Sequence, residues 1–282
     1  MIKKKILILG SEGQIGAALQ QYFLNKYTVL NFDIANSPSE DLRIKNKKID
    51  KMIKDSSIVF FLAFDVGGSR YLIKNQNKFK FIENNILIML NVFNLLKKYN
   101  KKFIFASSTM SNMINSNYGL LKKIGERYSK SLGGIIVKFW NVYGIEKDMT
   151  KSHVITDFIL NAKKSKKIEM LTNGNEKRDF LYSKDCCRGL ELIMNNYSIF
   201  KKEKEIHLTT TKFTSIIKIA NIIKKEFAKR GKNIKIIKSK NKDTLQFNKQ
   251  NIANKFLLKY WKVKYSLKEG ISEVIDFYLN KK

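Results

Sequence analysis

Lys5-Ile-Leu-Ile-Leu-Gly10-Ser-Glu-Gly13-Gln-Ile-Gly16 is an apolar run without alternation, followed by three spaced glycines and then an amphipathic stretch from Ile15 to Phe23. An unbroken apolar run of this length reads as a strand buried on both faces, and the 3.6-residue spacing after it as a helix. Strand, glycine turn and helix together aim backbone N–H groups and the positive end of the helix at a pyrophosphate. Gly10 permits the tight turn, Gly13 lets the main chain approach the phosphates, and Gly16 lets the helix lie close on the sheet. Gln14 and Ile15, between the last two glycines, belong to the same cofactor-binding set.

Outward from this stretch, apolar runs and helical patterns alternate. Strands are expected at 27–32, 58–63, 103–106 and 134–138, with long helices at about 81–99 and after Tyr118. That order predicts an α/β fold, a Rossmann-type doubly wound parallel sheet, over residues 1–150. Beyond 150 the alternation weakens. Short strands near 168–171 and 205–208 among helices at 214–229 and 267–279 predict a smaller mixed α/β substrate domain over 151–282, with a segment around 178–200 returning to the first domain. Pro38 is the sole proline, and no low-complexity linker separates the halves.

Composition narrows the class. With 282 residues and 44% apolar content the chain is globular. No stretch reaches about 18 uninterrupted apolar residues, and the short basic N-terminus lacks a cleavage site, so no membrane association and a cytoplasmic location are expected. Cys186 and Cys187 are adjacent, and His153 and His207 are the only histidines, so no metal site is expected. The formal charge of +31 is spread in pairs such as Lys101-Lys102 along the whole chain, without a basic block or interleaved aromatics. It reads as compositional bias rather than a nucleic-acid interface, while still favouring an anionic substrate.

Two side-chain motifs add chemistry. Asp33, at the end of the second strand, is placed to accept hydrogen bonds from the adenosine ribose hydroxyls, and its charge favours NAD over NADP. Tyr118-Gly-Leu-Leu-Lys122 sets a phenol and an ammonium on one face of a helix. A free phenol ionises at about pH 10, but a neighbouring ammonium and a positive nicotinamide ring favour the phenolate, which can take a proton as hydride leaves an alcohol carbon.

With these motifs in place, the sequence resembles the extended short-chain dehydrogenase/reductases, specifically the NAD-dependent nucleotide-sugar epimerase/dehydratase family, over nearly its whole length. Asp41-Leu42-Arg43 is similar to the family's adenine-contacting segment, and Phe61-Leu62-Ala63 to its third-strand end. Asn84-Asn85 stands where the family carries a structural asparagine. Val137-Lys-Phe139-Trp-Asn141-Val-Tyr-Gly144 resembles the segment that passes the nicotinamide, at Phe139, and presents Asn141 to the sugar nucleotide. Lys177-Arg178-Asp179-Phe180 resembles the element whose arginine grips the diphosphate. Asp65-Val-Gly67-Gly68-Ser69 is similar to a glycine pair of GDP-sugar enzymes, with Gly67 and Ser69 facing substrate; a flexible loop is the alternative.

What the resemblance implies is NAD-dependent redox chemistry at C4 of a nucleoside-diphosphate sugar for surface-glycan biosynthesis. Thr109, Tyr118 and Lys122 take the catalytic positions, Thr109 hydrogen-bonding the reacting hydroxyl and Lys122 also holding the nicotinamide ribose. The two positions after Thr109, Asp and Glu in 4,6-dehydratases, are Met110 and Ser111, so elimination of water lacks its acid and base. Ser111 is then expected to line the sugar pocket, where an alcohol cannot replace the proton-exchanging cysteine of 3,5-epimerases. Met113 stands in place of a loop tyrosine, and Lys138 where an arginine is common, supporting the strand. A 4-epimerase, a net 4-dehydrogenase or 4-ketoreductase, and a non-catalytic binding scaffold all remain open. The family's pairing through two long helices, here about 81–99 and 118–131, implies a homodimer.

Overall fold

The computed structural model describes residues 3–113, 115–243 and 252–280. Along the first half run β1 (Lys5–Leu9), α1 (Gln14–Phe23), β2 (Thr28–Phe32), α2 (Lys47–Asp55), β3 (Ile58–Phe61), α3 (Ser69–Asn75), α4 (Phe79–Lys98), β4 (Phe103–Ser108), α5 (Asn117–Ser131), β5 (Ile135–Phe139) and β6 (Asn141–Tyr143). The second half carries α6 (Val154–Ser165), β7 (Lys167–Glu169), β8 (Lys177–Tyr182), α7 (Ser183–Asn195), α8 (Tyr197–Phe200), β9 (Ile206–Leu208), β10 (Phe213–Ser215), α9 (Ile216–Ala228), β11 (Lys235–Ile237) and α10 (Leu267–Asn280).

The main sheet is parallel throughout, in the order β2-β1-β3-β4-β5-β9. Its central strands are apolar on both faces because helices cover both. Ile6, Ile8, Phe60, Ile104 and Val137 face a core shared with α1 and α7, while Leu7, Leu9, Phe61 and Phe105 face one shared with α2, α4 and α5. Strand order reverses between β1 and β3, the point at which ligands seat in open α/β sheets. Three-stranded β10-β8-β6, two-stranded β11-β7 and helices α6, α9 and α10 enclose a third core around Ile159, Phe227 and Ile271.

The strand expected in the second domain near 205–208 is instead the sixth strand of the main sheet. Ile206 pairs with Val137 and Leu208 with Phe139, and both side chains are fully buried in the first core. Between them and β8, α7 lies on α1, where Tyr22 donates to Glu191 at 2.6 Å and Cys186 and Cys187 pack in the core. The return to the first unit therefore runs through residue 208. α4 is the one helix among the described residues long and apolar enough to cross a membrane by length and composition, but Phe81, Met89, Val92, Phe93 and Leu96 on it belong to the second core.

Candidate functional site

The groove at the β1/β3 switch point is made by close backbone approach. Gly10 has φ of 82°, and a Cβ there would fall 2.7 Å from the main chain of Ala63, so the loop after β1 abuts the half-buried Leu62-Ala63 just past the end of β3. A Cβ on Gly16 would come within 2.0 Å of the Gly10 carbonyl oxygen, which is what keeps α1 tight on the turn. Gly13 has only that oxygen at 3.4 Å and leaves the N-terminus of α1 without a side-chain cap. The first-turn N–H groups of Gln14, Ile15 and Gly16 are thus the ones a helix cannot satisfy internally. Gln14 Nε2 is buried with no partner among the described residues, a donor of the kind a phosphate oxygen satisfies. Asp33 accepts the Glu12 and Ala35 N–H groups at 2.9 Å each, one per carboxylate oxygen, leaving lone pairs for ribose hydroxyls. These features fit a dinucleotide.

The adenine-side expectation changes. Asp41 is held in a two-pronged pair by Arg43, at 2.9 and 2.7 Å, which keeps its carboxyl below the ordinary range, and Arg43 reaches on to Asn84 at 3.1 Å. Leu42 buries its side chain in the second core. Both side chains are engaged by the protein itself, so the main chain is what this segment can present.

At the end of β4, Tyr118 and Lys122 are brought together by α5, whose N-cap Ser116 accepts the Gly119 N–H at 3.2 Å. Tyr118 is 9% and Lys122 3% exposed. The Lys122 ammonium donates to the Ala106 carbonyl at 2.7 Å and lies 3.7 Å from the centre of the Phe64 ring, which meets Tyr118 edge-on at 5.9 Å. Burial pushes the phenol up to about 12, opposed by a hydrogen bond from Ser108, and pulls the ammonium down to about 7, opposed by the charge of Glu126. The expected lowering of the tyrosine pKa is therefore reversed in the protein alone, because drying the pair disfavours both ionised forms.

Of the hydroxyls in this loop, that of Ser108 is the one that lowers the phenol against burial, which makes it the candidate for the role; its oxygen also accepts the Met110 N–H at 3.2 Å. Thr109, expected in that role, is buried at the head of a 3-10 turn over Thr109–Asn112, one residue past the end of β4. Ser111, expected to line the sugar pocket, is buried and donates to Glu126 at 2.6 Å. Glu126 also receives Ser107 at 2.7 Å and pairs with Lys123 at 2.9 Å and with Lys138 at 3.4 Å. Lys138, 1% exposed, continues to Glu205 at 3.0 Å and Asn112 at 3.1 Å, so it braces the loop from beneath. This buried charge network gave no motif in the sequence; its one signal is that Glu126 stands four residues beyond Lys122 on the same helix face.

On the substrate side, Asn141 opens β6 and Arg178 lies on the adjacent β8, two positions from Asn141's register partner Phe180. Arg178 is paired with Asp243, and Asn141 Nδ2 donates to the Asp179 carbonyl at 3.4 Å. Phe139 ends β5, buried, on the strand next to β4. Gly67 and Gly68 press against Lys151 and Ser152, and Ser69 is exposed at the start of α3. Asn85, fully buried, exchanges hydrogen bonds with the Asp65 main chain at 2.7 and 3.1 Å, the structural role expected of it.

The family model described as NAD dependent epimerase/dehydratase family matches residues 6–208. A Methanocaldococcus jannaschii protein named "Putative UDP-glucose 4-epimerase" is 28% identical, with 98% of each chain covered. Among solved structures, a GDP-6-OMe-4-keto-L-xylo-heptose reductase from C. jejuni superposes with a TM-score of 0.82 at 19% identity, covering 99% of both chains. The NAD dependent NDP-hexosamine 5,6-dehydratase TunA, involved in tunicamycin biosynthesis, gives 0.78 at 16% identity over 99% of this chain and 98% of its own. At these identities the likeness of the two structures is one of fold.

Proposed function

The chain belongs to the NAD dependent epimerase/dehydratase family, and from that premise we propose that it acts at C4 of a nucleoside-diphosphate sugar, passing through a 4-keto species as a 4-epimerase that supplies surface-glycan sugars. The observation that carries this reading is the set Ser108, Tyr118 and Lys122 at the C-terminal edge of the main sheet, beside the NAD groove. NAD, when bound, supplies the chemistry of accepting a hydride and returning it. The Tyr118 oxygen takes the proton of the C4 hydroxyl and Ser108, in place of Thr109, hydrogen-bonds the reacting oxygen. Lys122 supplies positive charge beside a phenol that burial otherwise keeps protonated, and it is the residue that would hold the nicotinamide ribose. Arg178 receives the diphosphate once Asp243 gives way, with Asn141 beside it. Asp33 favours NAD over NADP.

With Ser108 taking that role, the next two positions become Thr109 and Met110, again without a carboxyl group, and Glu126 beneath them is occupied by serines and lysines. Elimination of water still lacks an acid and a base there. A net 4-ketoreductase is the second reading, favoured by the C. jejuni likeness at TM-score 0.82. The test is incubation with UDP-, GDP- and dTDP-sugars without added oxidant or reductant, with product stereochemistry read by NMR. Inversion at C4 supports the epimerase, a requirement for added NADH the reductase, and loss of water seen by mass spectrometry overturns both.

The same reading includes a cytoplasmic homodimer. Both cysteines are free and buried, as suits a reducing compartment. Ile86 and Leu90 on α4 and Leu120, Ile124 and Tyr128 on α5 form exposed apolar rows at helical spacing on two packed helices, a face a second copy would cover in a four-helix contact. A monomeric mass at micromolar concentration would remove the dimer.

A further inference from the structure

We propose that residues 145–153, the connection from β6 to α6, are a strap across the NAD groove, held shut by the ion pairs Lys147–Glu12 and Lys151–Asp65. The groove has two banks, the glycine-rich loop after β1 and the loop after β3, which meet where Gly10 abuts Ala63. The strap arrives from the second half of the chain and lands on both. On the first bank Lys147 pairs with Glu12, which lies between Gly10 and Gly13, at the spot where α1 offers its N-terminus to the pyrophosphate. On the second, Lys151 pairs with Asp65 at 3.1 Å while its carbonyl accepts the Gly68 N–H at 2.9 Å. The approach there is so close that a Cβ on Gly68 would lie 2.1 Å from the Ser152 carbonyl oxygen, and Arg70 continues the seam to Asp157 at 2.8 Å.

The two ends differ. Asp65 is clamped by the Tyr71 hydroxyl at 2.5 Å and Asn84 at 2.9 Å, and these bonds, with the Gly68 N–H held by the Lys151 carbonyl, make this the fixed end. Lys147 is 56% and Glu12 18% exposed, and their pair is the end that can open. Glu12 would otherwise set a negative charge beside a bound pyrophosphate; Lys147 neutralises it and closes the strap in one contact. NAD therefore leaves only when the Lys147 end lifts. Slow exchange suits a hydride that departs from and returns to the same sugar, a consequence that rests on the epimerase reading, whereas the strap itself rests on the NAD site alone.

The test is NADH release from the loaded protein, followed by loss of bound-NADH fluorescence on adding excess NAD. Lys147→Ala and Glu12→Gln are each expected to speed release about two- to fivefold, the range of an exposed ion pair, and the double variant no more than either single. The melting temperature of the NAD-free protein should not change with Lys147→Ala, since the pair touches no core. Release at the parent rate in both single variants overturns the strap. So does faster release with Lys147→Ala and no change with Glu12→Gln, because Lys147 would then be holding the cofactor itself. Neither result bears on which sugar reaction is catalysed.

Discussion

At the end of β1 the chain presents bare main chain: Gly13 carries no Cβ, α1 begins without a side-chain cap, and the donors on offer are peptide N–H groups. Two strands along, at the end of β4, it buries a phenol and an ammonium almost completely. Peptide donors do not titrate and recognise an anion at any pH, so the cofactor site works through shape. The Tyr118–Lys122 site works through dryness. Its groups are held near neutral by burial, and a positive charge brought alongside shifts the phenol toward the form that takes a proton. One site tolerates change in side chains and none in its closest glycines; the other depends on single atoms.

The largest effect that would sharpen this contrast lies in the glycines. Gly16→Ala drives a Cβ onto the Gly10 carbonyl, a backbone atom that cannot move without opening the turn, and should destabilise by on the order of 1–3 kcal/mol and abolish NAD binding. Gly13→Ala meets only an ordinary contact at 3.4 Å, so it should keep its melting temperature and lose NAD affinity. Equal melting losses in calorimetry would mean that the loop is not organised by that approach.

Next in size is the hydroxyl. Ser108→Ala should lower turnover by on the order of 10²-fold, as removal of one positioned donor does, whereas Thr109→Val, a near-isosteric change at a buried site, should cost little. The reverse order in steady-state kinetics would return the role to Thr109. Smaller, and read as a trend, is the effect of Lys122→Met. The buried ammonium has a folded pKa of about 7 against an ordinary 10.5, so its charge penalises the fold fully below pH 7 and the penalty fades as pH rises toward 10.5. The melting temperature of the NAD-free variant relative to the parent should therefore be most favourable near pH 6 and fall off toward pH 10, while its activity profile moves to higher pH. A pH-independent difference would show that Lys122 is not a buried cation in the resting protein.

The same contrast explains what is legible in the sequence. Gly10, Gly13 and Gly16, and Tyr118 with Lys122, are short-range patterns whose spacing alone defines their geometry, and the parallel sheet follows from apolar runs of the right length. Ser108 was hidden by a boundary. β4 is read as ending at Ala106 but continues to Ser108, which makes Ser108 the last residue of the strand and Thr109 the first of the 3-10 turn. Ser111 was read as a pocket residue because its partner Glu126 is buried by tertiary packing and belongs to no motif, while Lys138, read as supporting its strand, pairs with the same carboxylate. Ile206–Leu208 is three residues long, too short for periodicity, and only its pairing with β5 places it in the main sheet. Asp41 and Leu42 are read as ligands by resemblance, while Arg43 and the core claim their side chains.

The central claim, that the Tyr118 oxygen moves the proton when hydride leaves the sugar, is tested most directly by Tyr118→Phe. The ring and its edge-on contact with Phe64 are retained and one oxygen is lost. Single-turnover assays with a nucleotide sugar that the parent converts should show a loss on the order of 10²–10⁴-fold, with NAD and nucleotide-sugar binding and the melting temperature kept. Turnover at the parent rate would contradict the account, and the proton would have to be taken by another group.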